Sequence, residues 1–235
     1  MSTSSTAPLS NPFATRFVTP GKIPWIGDCS PDEIASRFLR SESNAMLLVG
    51  PHGSGKSTLL LHLAKSLGRV RIKVDVLGRR EHLPVKAAFE AKHPNLIHLQ
   101  VRRERATDGH CLSSKVSANP ELVLKSVQQQ WHSGDILLLD GLEQLRPWTR
   151  LLLLRAARRA DIRVLATSHR QHSGFTELHR TEASLSIAEQ VVSALTNNHD
   201  EAPAVGLDQQ LKDSFTRHEG NMREVLMDLY DCAVR

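Results

Sequence analysis

The chain has 235 residues, a formal net charge of +5 and an apolar content of 40%, of which aromatic residues make up only 4% of the chain. This length suits one sizeable domain with a small appendage, and the scarcity of aromatic rings requires a mostly aliphatic core. No apolar run approaches the ~20 residues of a membrane span, no secretory signal is present, and the three cysteines are too widely spaced for a disulfide framework. The sequence therefore predicts a cytoplasmic protein without a membrane segment, whose mild basicity permits an anionic partner without requiring one.

The first 29 residues predict a tail followed by a segment that wraps the domain surface. The first ten are rich in Ser and Thr, which is typical of disorder. Residues 11–29 hold too many prolines for a helix and too many apolar residues for a free tail. Ser30-Pro31-Asp32-Glu33 then provides an N-cap, a proline at the first helical position and acids in the first turn, which predicts a helix to about Leu39.

Strands and helices then alternate along most of the chain. The predicted strands are 45–49, 70–76, 96–101, 135–140, 162–166 and 176–183, and the predicted helices are 56–67, 120–134, 147–160, 184–196, 207–217 and 222–233. This alternation predicts an α/β fold with a parallel sheet, and the last three helices predict a small helical appendage after about residue 184. The 79–119 stretch shows little pattern beyond one strand and is interpreted as an insert.

The most specific motif is Gly50-x-x-x-x-Gly55-Lys56-Ser57, a complete phosphate-binding P-loop between an apolar strand and a helix. Its glycines let the backbone approach a ligand closely, and the amide groups at the helix start converge on an anion. Lys56 is expected to reach the β and γ phosphates, and Ser57 to bind Mg²⁺. The predicted nucleotide-binding residues are Gly50, Pro51, His52, Gly53, Ser54, Gly55, Lys56, Ser57 and Thr58. His52 is interpreted as permissive loop content.

A second acidic element follows about eighty-five residues later. Residues 135–140 form an apolar strand that ends in Asp140, where an acid can fix Mg²⁺ through its water shell. The sequence thus predicts Ser57 and Asp140 as the metal site, and Lys56 and Asp140 as catalytic residues; the alternative is an Asp that merely ends a strand. The twelve histidines show no zinc-ligand spacing, so no zinc site is predicted.

Residues 137–145, Leu-Leu-Leu-Asp-Gly-Leu-Glu-Gln-Leu, resemble the Walker B element of the AAA+ and STAND group of P-loop NTPases, in its NACHT-like form. Gly141 and Glu143 match that form, whereas Gln144 stands where a second acid is usual. The resemblance implies a three-layer P-loop NTPase of the ASCE type that binds ATP and Mg²⁺. It implies three parts: a tail and wrapping segment (1–29), the α/β domain (30–183) and a C-terminal helical lid (184–235). Glu143 would orient and deprotonate the attacking water; its alternative role is an acid favoured by a helix N-terminus.

Two further stretches resemble elements of this group. Thr167-Ser168 ends a buried strand, where these ATPases place a polar "sensor 1" residue near the γ-phosphate, which makes Thr167 a catalytic candidate with Ser168 as the alternative. The Gly-Asn-Met-Arg-Glu stretch at 220–224 resembles a turn of the AAA+ lid, where an arginine can reach the nucleotide. Arg223 is thus a nucleotide-binding candidate, and a solvated arginine is the alternative.

The resemblance implies an ATPase that acts as a switch or motor on a macromolecular partner, either a protein or further copies of itself. A nucleic-acid-associated helper ATPase of the loader type is one alternative, favoured by the basic charge and the arginine-rich helix at 147–160. No reader motif for nucleic acid is present. A P-loop kinase is the other alternative, because the 79–119 insert could hold an acceptor site. ATP rather than GTP is implied by the resemblance alone.

Overall fold

The computed structural model describes residues 11–15, 17–67, 70–75, 80–81, 96–100, 133–197 and 206–234, with backbone alone for the three short ranges between 70 and 100. Most of the predicted 79–119 insert and most of the helix predicted at 120–134 lie outside the described residues.

The described elements follow the predicted order. The strands are β1 (Ala45–Val49), β2 (Val70–Asp75), β3 (Arg80–Glu81), β4 (Leu96–Gln100), β5 (Ile136–Asp140), β6 (Arg163–Ser168) and β7 (Thr176–Arg180). The helices are α1 (Pro31–Arg40), α2 (Lys56–Leu67), α3 (Pro147–Arg159), α4 (Leu185–Thr196), α5 (Leu207–Arg217) and α6 (Met222–Val234), and a 3-10 turn covers Leu142–Gln144. The two largest differences from the predicted boundaries are that β6 continues through Ser168 and that β7 ends at Arg180 rather than at 183. The two-residue strand β3 was not predicted.

The strands form one sheet in the order β3-β2-β4-β5-β6-β1-β7, and every pair is parallel except β2 with β3. Strand β6 lies between the P-loop strand β1 and the Asp140 strand β5, which is the arrangement that the ASCE type denotes. The predicted α/β P-loop NTPase fold is therefore confirmed. Because β1, β5 and β6 run in one direction, their carboxyl ends bring the P-loop, Asp140 and Ser168 to the same edge of the sheet.

Helices cover both faces of the sheet, which explains why its central strands are continuously apolar. Every residue of β1 and β5 is buried. Alternate side chains divide between two cores, as the two-residue period of a strand requires. Leu47 packs on the side of α3, whereas Leu48 and Leu138 pack on the side of α1 and α2. The site is thus built on rigid, fully buried strands.

The C-terminal helices form a third apolar core of their own. Val192, Leu211 and Val225 pack together there, with Phe13 of the N-terminal segment buried among them. The same N-terminal segment places Trp25 against the core under α1 and α2. Residues 11–29 therefore contact both the sheet domain and the helical appendage.

Within the part of the chain that the structure describes, none of the helices combines the length and the apolar character needed to cross a bilayer.

Candidate nucleotide-binding site

The P-loop has a backbone shape that only glycine adopts without strain. Gly53 and Gly55 have φ angles of +71° and +85°, in the left-handed region. At Gly50 a Cβ atom would lie 2.4 Å from the backbone oxygen of Thr181, and at Gly55 it would lie 3.3 Å from the ring of Trp25. All three motif glycines are therefore required, two by conformation and one by the close approach of the chain after β7.

The Lys56 side chain is folded inward onto the loop. Its Nζ donates to the backbone oxygens of Gly50, at 2.8 Å, and Pro51, at 2.5 Å, and the residue is 7% exposed. Burial lowers the Lys56 pKa from an ordinary 10.5 to about 8, although the negative charges of Glu143 and Asp140 oppose this. A buried ammonium that only neutral oxygens contact is suited to an anionic ligand, so the lysine fits a phosphate.

Two predicted site residues donate to one carboxylate oxygen of a third. Asp140 Oδ1 accepts hydrogen bonds from Ser57 Oγ, at 3.0 Å, and from Thr167 Oγ1, at 2.6 Å. Thr167 Oγ1 in turn accepts from the amide of Gly141, at 2.9 Å, which fixes the turn after β5. A serine hydroxyl beside a nearly buried carboxylate is a donor set that suits Mg²⁺, so these residues fit the cofactor that the sequence predicts.

Glu143 lies on the 3-10 turn that follows Gly141, whose φ of +92° allows the chain to reverse there. Its Oε1 is 3.1 Å from His169 Nε2. Its Oε2 is buried, and no hydrogen-bond partner for it is found among the described residues. Glu143 therefore faces the P-loop side of the sheet and retains one carboxylate oxygen that can accept a proton or a water hydrogen bond.

His169 holds Glu143 from the end of β6. Its Nδ1 is 3.3 Å from the Gly50 backbone oxygen, and its ring packs on His52 with the centroids 3.6 Å apart. Burial and the charge of Lys56 lower the pKa of His169, which favours the neutral ring. A neutral imidazole donates from one nitrogen only, so it satisfies either Glu143 or the Gly50 carbonyl, but not both.

Arg150, Arg170 and His172 form a basic group near Glu143. Arg150 of α3 donates to His172 Nδ1, and Arg170 adds a further positive charge nearby. The His172 Nε2 atom is buried without a partner among the described residues. Burial and the surrounding arginines lower the pKa of His172, so this ring is neutral at neutral pH.

The C-terminal helices contact the P-loop directly. A Cβ atom on Gly53 would lie 2.1 Å from Asn221 Oδ1 and 2.8 Å from the Met222 amide, so the start of α6 sits on the tip of the loop. Arg223 is exposed and follows this contact by one residue; its amide donates to Asn221 Oδ1, at 3.3 Å. The predicted lid arginine is therefore near the loop, but its side chain has no contact there among the described residues.

The structure also assigns contacts that the sequence did not indicate. His52 stacks on His169 rather than filling the loop passively, and Ser54 Oγ lies 2.6 Å from Thr181 Oγ1. Trp25 packs on Gly55. These partners come from separate parts of the chain, so no local spacing could have shown them. Thr58, the last residue of the predicted set, is buried in the first turn of α2.

Comparisons with known proteins assign no family. No protein-family model matches the chain, and no curated protein matches it. Among solved structures, it is similar to a lysine-to-arginine mutant of RuvB from Thermotoga maritima, with 16% identity and a TM-score of 0.44, over 87% of this chain and 69% of that chain. A threonine-to-valine form of the same protein gives 16% identity and a TM-score of 0.42, over 83% of this chain and 64% of that chain. Similarity at this level transfers no activity to this chain.

Proposed function

We propose that this protein is a Mg²⁺-dependent ATPase of the AAA+/STAND-like type that acts as a switch or motor on a macromolecular partner. The observation that carries the proposal is the convergence of the Ser57 and Thr167 hydroxyls on one carboxylate oxygen of Asp140, whose negative charge acts on the P-loop lysine. A P-loop alone provides nucleotide binding. Hydrolysis also requires an acidic residue and a polar residue at the ends of neighbouring strands, and Asp140 and Thr167 would fill these two roles.

Each side chain has a distinct part in this reaction. Lys56 would leave the Gly50 and Pro51 carbonyls and bind the phosphates, whose negative charge offsets the cost of burying the ammonium. Ser57 and Asp140 would hold Mg²⁺, which neutralises charge that develops on the phosphate oxygens. Thr167 donates to Asp140 and would sense the γ-phosphate.

Glu143 is the proposed general base. Its Oε2, which has no hydrogen-bond partner among the described residues, could accept a proton from water, and the negative charge of Glu143 opposes the lowering of the Lys56 pKa. His169 contacts the other carboxylate oxygen. The rate of turnover then depends on whether the contact with His169 orients the Glu143 carboxylate towards the attacking water or keeps it away from that water.

The helical appendage is the proposed moving part. Asn221 and Met222 touch the P-loop at Gly53, so a phosphate that reshapes the loop alters the seat of α6. This contact gives a direct route from nucleotide state to the position of the lid, and Arg223 would close on the phosphates. The partner, a protein or a second copy of the chain, would bind differently according to the position of the lid.

The test is ATP turnover with Mg²⁺ by the wild type, Glu143→Gln and Lys56→Ala, with nucleotide affinity measured beside it. Glu189→Gln is the matched control, because Glu189 is an exposed glutamate on α4. We expect wild-type turnover in the control, a fall of at least roughly 100-fold for Glu143→Gln with ATP affinity retained, and loss of binding for Lys56→Ala.

Wild-type turnover in Glu143→Gln would show that this carboxylate is not the base. A wild type that fails to bind ATP would overturn the proposal as a whole. Phosphate transfer to an added acceptor without hydrolysis would indicate the kinase alternative, and DNA binding that weakens steeply with salt would indicate the loader alternative.

A further inference from the structure

Three side chains of types that can bind a metal ion, those of Asp28, Cys29 and His179, meet at the edge of the sheet, away from the proposed Mg²⁺ site. Asp28 and Cys29 lie at the end of the N-terminal segment, and His179 lies on β7. One ligand atom from each residue, a carboxylate oxygen, a sulfur and a ring nitrogen, falls within 4.8 Å of the other two. Thiolate, imidazole and carboxylate are the three ligand types that zinc takes in proteins.

We propose that Asp28, Cys29 and His179 bind a zinc ion, with the fourth position open to solvent. The distance from His179 Nε2 to Asp28 Oδ1 is 3.6 Å, which is too long for a hydrogen bond. It matches the separation of about 3.5 Å between two ligand atoms of a tetrahedral zinc ion with metal–ligand bonds of about 2.1 Å. The spacing of these two atoms therefore suits two ligands of one ion.

His179 supplies the strongest indication. Its side chain is only 6% exposed, and no hydrogen bond to its ring is found within the described part of the chain. An imidazole nitrogen without a hydrogen-bond partner in the protein is available to bind a metal ion.

The backbone around Cys29 is fixed before any ion binds. The Cys29 carbonyl accepts a hydrogen bond from Trp25 Nε1, at 2.9 Å, and the Trp25 ring packs edge-on against His179 with the centroids 6.1 Å apart. Ser30 follows directly as the N-cap of α1, held by a reciprocal capping box with Glu33. Ligands that need little ordering bind a metal more tightly.

The site is accessible and joins distant parts of the chain. Asp28 and Cys29 line an open groove of about 530 Å³ beside α1, through which an ion can enter. An ion there would attach the N-terminal segment to β7 and hold Trp25 against Gly55 of the P-loop. The sequence did not indicate such a site, because the histidine comes about 150 residues after the cysteine.

The test uses the untagged full-length protein, stripped with a chelator and without nucleotide, so that its outcome is independent of ATP binding. Zn²⁺ affinity is measured by competition with a chromogenic chelator, and Co²⁺ is used as a spectroscopic probe of thiolate ligation. Cys29→Ser and His179→Gln are compared with Cys232→Ser, which removes an exposed cysteine on α6. Circular dichroism verifies the folding of each variant.

We expect one tight zinc ion per chain, a tetrahedral Co²⁺ spectrum with a sulfur charge-transfer band, and a melting temperature that rises on adding zinc. Cys29→Ser should abolish the sulfur band and weaken zinc binding at least roughly 10-fold. In known sites the loss of a residue that hydrogen-bonds to a metal ligand already lowers the affinity by this factor, and the loss of the ligand itself should cost no less. Cys232→Ser should match the wild type. A folded Cys29→Ser variant that keeps the tight site, or a wild type without one, would overturn the proposal. If His179→Gln fails to fold, Cys29→Ser alone decides.

Discussion

Replacing Lys56 with methionine should stabilise the nucleotide-free protein, because the buried ammonium opposes folding. The pKa of this lysine falls from 10.5 to about 8 on folding. At about 1.4 kcal/mol per pKa unit, this difference destabilises the folded state by about 3 kcal/mol at neutral pH. Methionine has a similar length and no charge. It removes one donor from each of the Gly50 and Pro51 carbonyls, which keep their contacts with His169 and Ser54; this loss costs about 1 kcal/mol, so a net gain of about 2 kcal/mol remains.

The pH dependence identifies the cause. The folded pKa of Lys56 is lower than the unfolded pKa, so the unfolded chain binds the extra proton between pH 8 and 10.5. The destabilisation is therefore complete below about pH 8 and disappears as the pH rises towards 10.5. The stability of the wild type should approach and then equal or exceed that of Lys56→Met over this interval.

Urea unfolding of both proteins at pH 7 and at pH 9.5–10 measures the effect. At neutral pH, a gain of about 2 kcal/mol corresponds to a rise of about 4–8 °C in melting temperature for a domain of this size. Lys65→Met is the matched control, because Lys65 is an exposed lysine on the same helix. A Lys56→Met protein that is less stable than the wild type at pH 7, or a difference that does not change with pH, would refute the reasoning.

Three other changes test the site. Asp140→Asn should leave nucleotide binding without Mg²⁺ largely intact while lowering Mg²⁺-dependent turnover by roughly 100-fold or more, as measured by phosphate release. Thr167→Val removes a hydroxyl that serves a carboxylate and an amide, so the free energy of unfolding should fall by about 1–3 kcal/mol, whereas Thr216→Val on exposed α5 should change it by less; equal losses would argue against the network. Gly53→Ala should lower stability by about 1–2 kcal/mol from backbone strain alone, and adding Asn221→Gly should recover only the part due to the clash with Asn221 Oδ1, because the Met222 amide and the Asn221 Cα stay in place; a double variant no better than the single one would mean that the Asn221 side chain does not press on the loop.

Local patterns were sufficient for the central fold. A continuously apolar strand such as β5 is readable because both faces of the sheet are covered, and the P-loop motif fixes the strand and helix around it. Because the carboxyl ends of parallel strands lie at the same edge of a sheet, Asp140 and the end of β6 are then expected beside the loop. The extension of β6 through Ser168 was missed, because polar side chains at a buried strand end give no apolar signal.

The remaining features depend on contacts between segments that are far apart in the chain. Nothing near Glu143 in the sequence indicates that His169 contacts it, and nothing near Gly55 indicates Trp25. Pairings of this kind arise when separate loops meet at one sheet edge, and a single sequence records neither the loop conformations nor the side-chain directions. The roles of Glu143 and Arg223 therefore remain predictions.

The N-terminal segment ties the C-terminal helices to the sheet domain along its length. Phe13 is buried in the core of those helices, Val18, Ile23 and Ile26 pack against the same core, and Asn11 donates to the Tyr230 backbone oxygen. Trp25, which lies between Ile23 and Ile26, packs instead against the core under α1 and α2 and donates to the Cys29 backbone oxygen. Contacts with the two cores therefore alternate within a few residues, so the C-terminal helices cannot move away from the sheet unless apolar side chains of this segment leave one core or the other.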